Sequence, residues 1–221
     1  MYAVTDRISV QVIDHAHLAM GSDQTCSSRT PYGATMPNPE PTVAEIQDAI
    51  VELLRTEEIG TLATIDSEGR PASSEMHFAG DGLIAYMHTF TYTRKHGQMQ
   101  ENPNVSYSLS YMPPEGYFGR RNTRYLQIQG RAFLVTDPEE IQRVAKISLE
   151  QFAWASDTSL YDNVKLPDQG KQIFYRIEPV QGLWADNRVR LFFRKLVEFS
   201  EDGKTITNVT DYNVATGRRS R

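Results

Sequence analysis

From residue 61 onwards, the chain is a succession of short β-forming segments separated by tight turns. The segments Thr61–Asp66, Pro71–Phe78 and Leu83–Thr89 are separated by Ser67-Glu68-Gly69 and by Gly80-Asp81-Gly82. Turns this short join strands that are antiparallel neighbours in a sheet. The pattern therefore predicts an antiparallel sheet in this part of the chain.

Further strands are predicted later in the chain, at Val105–Tyr111, Thr123–Thr136, Ile173–Glu178, Arg190–Phe199 and Thr205–Val209. Gly130 predicts a bulge in Thr123–Thr136, since glycine inside a strand favours local irregularity. A sheet of many antiparallel strands loses its exposed edges when it closes on itself. The predicted fold class is therefore mainly β (α+β), a small barrel of antiparallel strands with a few flanking helices.

Three helices are predicted beside the strands. The first begins after Thr42, because Thr42 and Glu45 form a capping box, and it ends at Gly60. A short helix is predicted over Thr93–Glu101. A third helix starts at Asp137, where an aspartate cap, a proline in the first turn and two glutamates favour a helix N-terminus.

Composition excludes several classes of protein. The 221 residues contain one cysteine, which rules out a disulfide scaffold, and no stretch approaches the roughly 20 apolar residues of a membrane helix. The segment Met1–Gly21 lacks the apolar core of a signal peptide. A formal net charge of −5 disfavours a broad nucleic-acid-binding surface. We expect a cytoplasmic protein that acts on a small molecule and binds neither nucleic acid nor membrane.

Composition also divides the chain into three parts. Residues 1–41 predict an arm or linker that is partly irregular, because the stretch after Gly21 is rich in Gly, Ser, Thr and Pro. Residues 42–214 contain the predicted helices and the sheet, and they form the expected domain. Residues 215–221 end in Arg218-Arg219-Ser220-Arg221 and predict a basic tail.

The sequence Thr93-Arg94-Lys95 places two cations and a hydroxyl at the start of a predicted helix. The N-terminus of a helix attracts anions, because it offers unpaired N–H groups and the positive end of the helix dipole. Arginine adds a planar fork and lysine a point charge, and both suit a phosphate group. Taken alone, the same three residues also fit an ordinary solvated helix start.

The order of the surrounding motifs resembles the pyridoxamine 5′-phosphate oxidase-like family, the FMN-binding split β-barrels. The matching pieces are Gly60-Thr61-Leu62-Ala63-Thr64, Asp66…Gly69-Arg70-Pro71, Ser74–Phe78, Met87-His88-Thr89, Thr93-Arg94-Lys95 and Asn102-Pro103-Asn104-Val105. The resemblance covers residues 43–136 and returns at Ile177–Gly182 and at Arg188 and Arg190. It implies a split β-barrel, a homodimer with FMN at the subunit interface, and an oxidoreductase whose hydride chemistry the flavin performs.

The resemblance also assigns site residues. The second strand is implied to run beside the flavin ring, with Ser74, Glu75, Met76, His77 and Phe78. Further cofactor contacts are implied at Thr89, at the phosphate-binding Thr93, Arg94 and Lys95, and at Arg190 with Arg188 as the second choice. Tyr125 and Gln127 are expected to come from the partner chain. No metal is expected, and no catalytic acid or base is assigned.

The chain departs from the founding enzyme of the family at three places. Ala79 stands where that enzyme has a lysine, and Val144–Glu150 lacks its Tyr/Arg pair. Arg188-Val189-Arg190 lacks the histidine of its Arg-x-His motif. These departures argue against vitamin B6 as the substrate and leave the flavin site intact.

Other residues have two interpretations each. Tyr117, Arg120, Arg121 and Arg124 lie in and after a loop, where they either bind an anionic or aromatic substrate or remain solvated. Glu75 and His77 share one face of a strand and form either a proton-handling pair or exposed polar neighbours. Trp154 and Trp184 either stack on a ring or pack in the core.

Two alternatives to an FMN enzyme stay open. Some relatives use a deazaflavin coenzyme, whose long anionic tail would suit the arginine cluster at Arg120, Arg121 and Arg124. A protein that binds flavin without turnover is the other alternative. The sequence does not identify the substrate or the electron donor.

Overall fold

The computed structural model of the protein describes residues 39–116, 118–161, 164 and 166–212. The predicted arm lies outside these residues except for residues 39–41, and the predicted tail lies outside them entirely. The three-part division of the chain therefore stays a prediction. None of the helices in the described part of the chain is long and apolar enough to span a membrane.

Three α-helices form at the predicted places: α1 (Val43–Thr56), α2 (Arg94–Glu101) and α3 (Pro138–Gln151). The capping box at α1 is formed, because the Glu45 N–H donates to the Thr42 hydroxyl at 3.3 Å and the Thr42 N–H donates to the Glu45 carboxylate at 2.7 Å. The Asp137 carboxylate caps α3 by accepting from the N–H groups of Glu139 and Glu140.

The described strands form one antiparallel sheet. They are β1 (Ile59–Ile65), β2 (Pro71–His77), β3 (Ala79–Asp81), β4 (Ile84–Phe90), β5 (Asn104–Tyr111), β6 (Arg124–Leu134), β7 (Gln172–Asp186), β8 (Arg194–Phe199) and β9 (Ile206–Asp211). Their order is β2-β1-β5-β6-β7-β4-β3, and β8 lies between β7 and β9. The sheet curls into a split β-barrel, which confirms the predicted fold class.

The long strand β7 holds the curled sheet together. It pairs with β6 along most of its length, with β4 through its first half and with β8 through its second half. The prediction that this strand ends at Glu178 was wrong, because β7 continues through Pro179 to Asp186. The pairing register between β6 and β7 shifts between Gln129 and Gly130, which is the bulge predicted at Gly130. Pro179 lies opposite this bulge, where the N–H that proline lacks is not needed for strand pairing.

Two other boundaries differ from the sequence prediction. α1 ends at Thr56, and Gly60 lies inside β1, where a Cβ atom would lie 2.5 Å from the Ser108 carbonyl oxygen. Gly60 therefore allows close packing of β1 on β5 and does not end the helix. Arg190 was predicted in a strand, but it lies in the turn between β7 and β8, and β8 begins at Arg194.

Two apolar clusters fix the helices on the sheet. The larger cluster fills the barrel and includes Ile50, Leu53 and Leu54 of α1 together with Trp184. The smaller cluster lies under α3 and includes Ala79, Tyr86, Val144, Phe152 and Tyr161. Packing of α3 against β3 and β4 places its C-terminal end beside the end of β2, at one wall of the site described below.

Candidate functional site

The start of α2 carries no side-chain cap. Thr93, the N-cap residue, has extended backbone and no capping hydrogen bond. Its hydroxyl instead donates to the Phe90 carbonyl at 2.8 Å and lies 3.1 Å from the hydroxyl of buried Thr89. Because α2 also lacks an acidic residue in its first turn, its first N–H groups are left for an external anion.

Two cations at this helix start have no partner within the described part of the chain. Arg94 is exposed and Lys95 is half-buried, and neither forms an ion pair or a side-chain hydrogen bond with a described residue. By contrast, most other arginines near the sheet are paired with carboxylates, as Arg124 is with Glu52 at 2.9 Å. An uncapped helix start beside two unpaired cations is an anion-binding arrangement.

Buried hydrogen bonds attach α2 to the sheet. The Thr64 hydroxyl donates to the Gln98 Oε1 at 2.7 Å, inside the protein. On the other side, Tyr175 Oη lies 2.9 Å from His96 Nδ1 and accepts from Gln100 Nε2 at 2.7 Å. Burial raises the pKa of Tyr175 and lowers that of His96, so both groups are neutral at pH 7. The helix start is thus held in a fixed position.

A cavity of about 590 Å³ lies between α2 and the β1–β2 turn, lined in part by Arg70, Arg94, Gly97 and Gln98. The turn has a defined structure, because Asp66 accepts from the Arg70 N–H at 2.8 Å and from the Arg70 guanidinium at 2.9 Å. The backbone hydrogen bond from Arg70 is the largest cause of the lowered pKa of Asp66. Asp66 and Glu101 line the same cavity, and Arg70 is also paired with Glu68, so Arg94 is the one cation of its lining that has no carboxylate partner among the described residues.

The predicted flavin strand β2 is an edge strand of the described sheet, since it pairs with β1 alone. Met76 and Phe78 point into the core, where Phe78 stacks on Tyr107 with ring centroids 4.9 Å apart. Ser74 is half-buried, and Glu75 is exposed and accepts from the Thr61 hydroxyl at 2.9 Å. A group lying beside β2 would therefore meet unpaired backbone along the outer edge.

The pairing of Glu75 with His77, one of the two interpretations of these residues, is not observed. Glu75 is bonded to Thr61, and the carboxylate nearest to His77 belongs to Glu58, 3.4 Å from the imidazole Nδ1. Sequence analysis missed Glu58, because it lies in the linker between α1 and β1 and has no motif around it. Trp184 is buried, so packing in the core accounts for it. Trp154 is half-exposed beside His77, so packing in the core does not account for Trp154.

His88 connects the two sides of this region. It lies on β4 next to Thr89, with its ring edge-on to Tyr161 at 5.5 Å. Burial, with smaller contributions from His77 and Lys95, lowers the pKa of His88 to about 4. His88 interacts with both His77 and Lys95, and Thr89 lies 3.1 Å from Thr93, so the end of β2, the end of β4 and the start of α2 lie close together. We call this region the β2–α2 cleft.

Four of the expected cofactor contacts, of which Tyr125 and Gln127 were expected from the partner chain, lie in other parts of the fold. Tyr125 and Gln127 are on the outward face of β6, where the Arg194 guanidinium lies 5.9 Å from the Tyr125 ring centroid. Arg188 and Arg190 lie in the β7–β8 turn. No described contact joins these four residues to Thr93, Arg94 or Lys95, and a cofactor contact by any of them stays a prediction.

Carboxylates hold the two arginines of the β7–β8 turn. Arg188 binds the buried Asp186 at 2.7 Å and lies 3.5 Å from Glu52, and the Asp186 hydrogen bond is the largest cause of its raised pKa. Arg190 binds Glu40 at 2.8 Å. The turn is therefore preorganised by ion pairs within one chain, and it presents a half-exposed Leu191 and an exposed Phe192 at its tip.

The arginine cluster does not form a single group. Arg120 and Arg121 are exposed in a short 3₁₀ helix, Arg120–Asn122. Arg124 instead points inward, where it pairs with Glu52 and lies 4.7 Å from the Tyr111 ring centroid. Tyr117 lies outside the described residues. A substrate contact by these residues stays a prediction, and Arg124 has a structural role between the sheet and α1.

The described residues contain no group of three or more His, Cys, Asp or Glu side chains that could hold a metal ion. The β2–α2 cleft brings together cations, hydroxyls, backbone N–H groups and imidazoles. Groups of this kind bind and orient an anionic organic ligand.

The structure is a split β-barrel in which an uncapped helix start carries two cations. The family model described as pyridoxamine 5′-phosphate oxidase matches residues 46–183. The chain belongs to this family. Residues 46–183 include β2, β4 and all of α2, so the whole β2–α2 cleft lies inside the matched region.

Individual relatives agree with this assignment. General stress protein 26 of Bacillus subtilis is 30% identical over 108 residues, which are 49% of this chain and 73% of that protein. A heme binding protein from Mycobacterium smegmatis superposes with a TM-score of 0.55 at 16% identity, over 72% of this chain and 59% of that protein. A conserved hypothetical protein from Mycobacterium tuberculosis gives 0.53 at 22% identity, over 65% and 86%. The two structures show the shared fold.

Proposed function

We propose that the protein is an FMN-dependent oxidoreductase that acts on a small molecule by hydride transfer through the flavin. The observation that carries the proposal is the start of α2, where an uncapped helix N-terminus lies beside the unpaired cations Arg94 and Lys95. The family membership supports it, because the matched region contains this helix and the adjoining strand β2.

The residues of the cleft fit a phosphate-bearing flavin. The N–H groups at the start of α2, Arg94, Lys95 and the hydroxyl of Thr93 would hold the phosphate. The ring would lie along the outer edge of β2, where the backbone has no strand partner and Ser74 is half-buried. The flavin supplies hydride transfer when bound, and the protein anchors it, orients it and excludes water.

Local charge has to attract this cofactor. The chain carries a formal net charge of −5, so its overall field repels an anion such as FMN. Arg94 and Lys95 therefore supply the attraction at short range, where partly buried groups are screened less by solvent. Lys95 is half-buried, which strengthens its interaction with a bound phosphate.

A homodimer completes the proposed site. Tyr125, Gln127, Arg188 and Arg190 would reach the flavin of the partner chain, since no contact within one chain brings them to the β2–α2 cleft. The single cysteine, which cannot form a disulfide within the chain, supports a cytoplasmic protein. Vitamin B6 is not supported as the substrate: Ala79 is buried under α3, so this position offers no cation to a substrate phosphate.

Identification of the cofactor tests the proposal. The protein is purified, its absorption spectrum is recorded, and any ligand released by denaturation is identified by mass. We expect FMN, followed by bleaching of its absorption on addition of NADH or NADPH. Release of a deazaflavin, and reduction by that coenzyme, would contradict FMN. Bound FMN that neither nicotinamide reduces, and that passes electrons to no acceptor after dithionite reduction, would indicate a binding protein without turnover.

A further inference from the structure

Three side chains that are far apart in the sequence meet at the end of β2. Glu58 comes from the α1–β1 linker, His77 is the last residue of β2, and Trp154 follows α3. The indole N–H of Trp154 donates to Glu58 Oε1, the same oxygen that lies 3.4 Å from His77 Nδ1. The rings of His77 and Trp154 are 5.1 Å apart between centroids.

Backbone and amide hydrogen bonds fix this meeting point. The Phe78 N–H donates to the Glu58 carbonyl at 2.9 Å, which holds the linker beside β2. Gln151, at the end of α3, donates from Nε2 to the Leu54 and Phe78 carbonyls, and its Oε1 accepts from the Gly80 N–H, all at 3.0 Å. These bonds set the position of Trp154, three residues further along the chain.

The His77 imidazole has an unusual environment. Its Nδ1 is buried and has no well-formed hydrogen bond, and the Glu58 oxygen at 3.4 Å is the nearest carboxylate. The side chain as a whole remains 35% exposed. A buried imidazole nitrogen that faces a carboxylate favours a proton on that nitrogen, which leaves the lone pair on the other nitrogen.

Several charged or titratable groups lie near His77. Glu58 approaches from the linker and His88 from β4, and His88 in turn is near Lys95 of α2 and Tyr161. Burial keeps His88 neutral at pH 7 and raises the pKa of Tyr161 to about 12. Among these groups, the Glu58–His77 pair alone joins a carboxylate directly to an imidazole.

We propose that Glu58 and His77 form a carboxylate–imidazole pair in which Glu58 holds the proton on Nδ1 and Nε2 exchanges protons with a ligand in the β2–α2 cleft, with Trp154 as the positioning residue. The assignment to a flavin site rests on the proposed function. His77 Nε2 first takes up a proton from water, and the Glu58 carboxylate offsets the charge of the imidazolium. A substrate that accepts a hydride gains one negative charge, and the Nε2 proton neutralises it, which returns the imidazole to its Nδ1-protonated form. A nicotinamide donor supplies the two electrons of the next cycle.

The tautomer of His77 in the ligand-free protein tests the pair itself. Long-range ¹H–¹⁵N NMR distinguishes the two neutral tautomers, and the variant His77→Gln identifies the His77 signals by their loss. We expect wild-type His77 to carry its proton on Nδ1. Glu58→Ala should move the proton largely to Nε2, because the carboxylate is removed. Trp154→Phe should give a mixture of the two tautomers, because the carboxylate remains but loses its indole N–H donor.

The matched control is Glu75→Ala, which removes an exposed carboxylate from the same strand without touching the contact to His77. It should leave the tautomer unchanged. A wild-type His77 with its proton on Nε2, or a tautomer that is the same in Glu58→Ala as in wild type, would overturn the pair.

Titration with FMN tests the location of the pair. Flavin fluorescence quenching measures binding, and the same samples should show a shift of the His77 ring signals. Binding without any shift of these signals would remove the pair from the flavin site and leave the proposed function standing. A failure of FMN to bind would overturn the proposed function and the flavin assignment together, whereas the tautomer result would still decide whether the pair exists.

Discussion

The hydroxyl of Thr64 on β1 donates a buried 2.7 Å hydrogen bond to the Oε1 of Gln98 on α2. This bond joins the sheet to the helix whose first turn forms the proposed phosphate site. Gln98 is one turn beyond Arg94, so a shift of Gln98 would move the cations that follow Thr93. The position of the anion site therefore depends on a residue that does not contact the ligand.

We expect Thr64→Val to destabilise the protein and to weaken FMN binding. Valine has nearly the same shape, but it leaves the buried Gln98 amide without its partner, which costs about 1–3 kcal/mol. Urea unfolding measures the stability, and titration of the apoprotein measures the affinity for FMN. Thr61→Val is the matched control, because Thr61 lies on the same strand and its hydrogen bond to Glu75 is exposed. A stability loss as large for Thr61→Val as for Thr64→Val would contradict this role of the buried bond.

The buried imidazole of His88 predicts a pH dependence of folding. Its pKa is about 4 in the folded protein and about 6.5 in an unfolded chain, so the unfolded state binds more protons between these values. Stability should therefore fall as the pH is lowered from 6.5 to 4, by at most about 3 kcal/mol from this residue. Urea unfolding at pH 7 and at pH 4.5 measures the loss, and His88→Gln should reduce it. An unchanged pH dependence in that variant would contradict the burial of His88.

The proposed dimer predicts a linked loss of flavin. Light scattering should give twice the chain mass of 25.1 kDa. Because each flavin would contact both chains, dilution below the dimer dissociation constant should release FMN together with the partner. A monomer that retains FMN at full affinity would contradict a site at the subunit interface.

The fold was predictable from sequence because its signals are local. Turn residues define the hairpin of β1 and β2, and the caps Thr42 and Asp137 define two helix starts. The extent of β7 was not predictable, since Pro179 usually ends a strand and only the bulge opposite it in β6 permits the continuation.

The candidate site was predictable in part for the same reason. Thr93, Arg94 and Lys95 are adjacent in the sequence, and the family pattern identifies them together. Glu58 and Trp154 are 96 residues apart, and they meet because Gln151 holds the end of α3 against β2. Tertiary packing creates this contact, and no local pattern in a single sequence reports it.

The central claim is that the start of α2 binds the phosphate of FMN. Titration of the apoprotein with FMN and with riboflavin, in wild type and in Arg94→Ala, tests this claim most directly. Arg94→Ala removes a charge-assisted hydrogen bond worth about 1.5–3 kcal/mol, so FMN should bind about ten- to a hundredfold more weakly. Riboflavin has no phosphate, and its affinity should hardly change. Lys146→Ala is the control, because it removes one positive charge from an exposed site on α3. Equal losses for FMN and riboflavin, or no loss for either, would contradict a phosphate site at the start of α2.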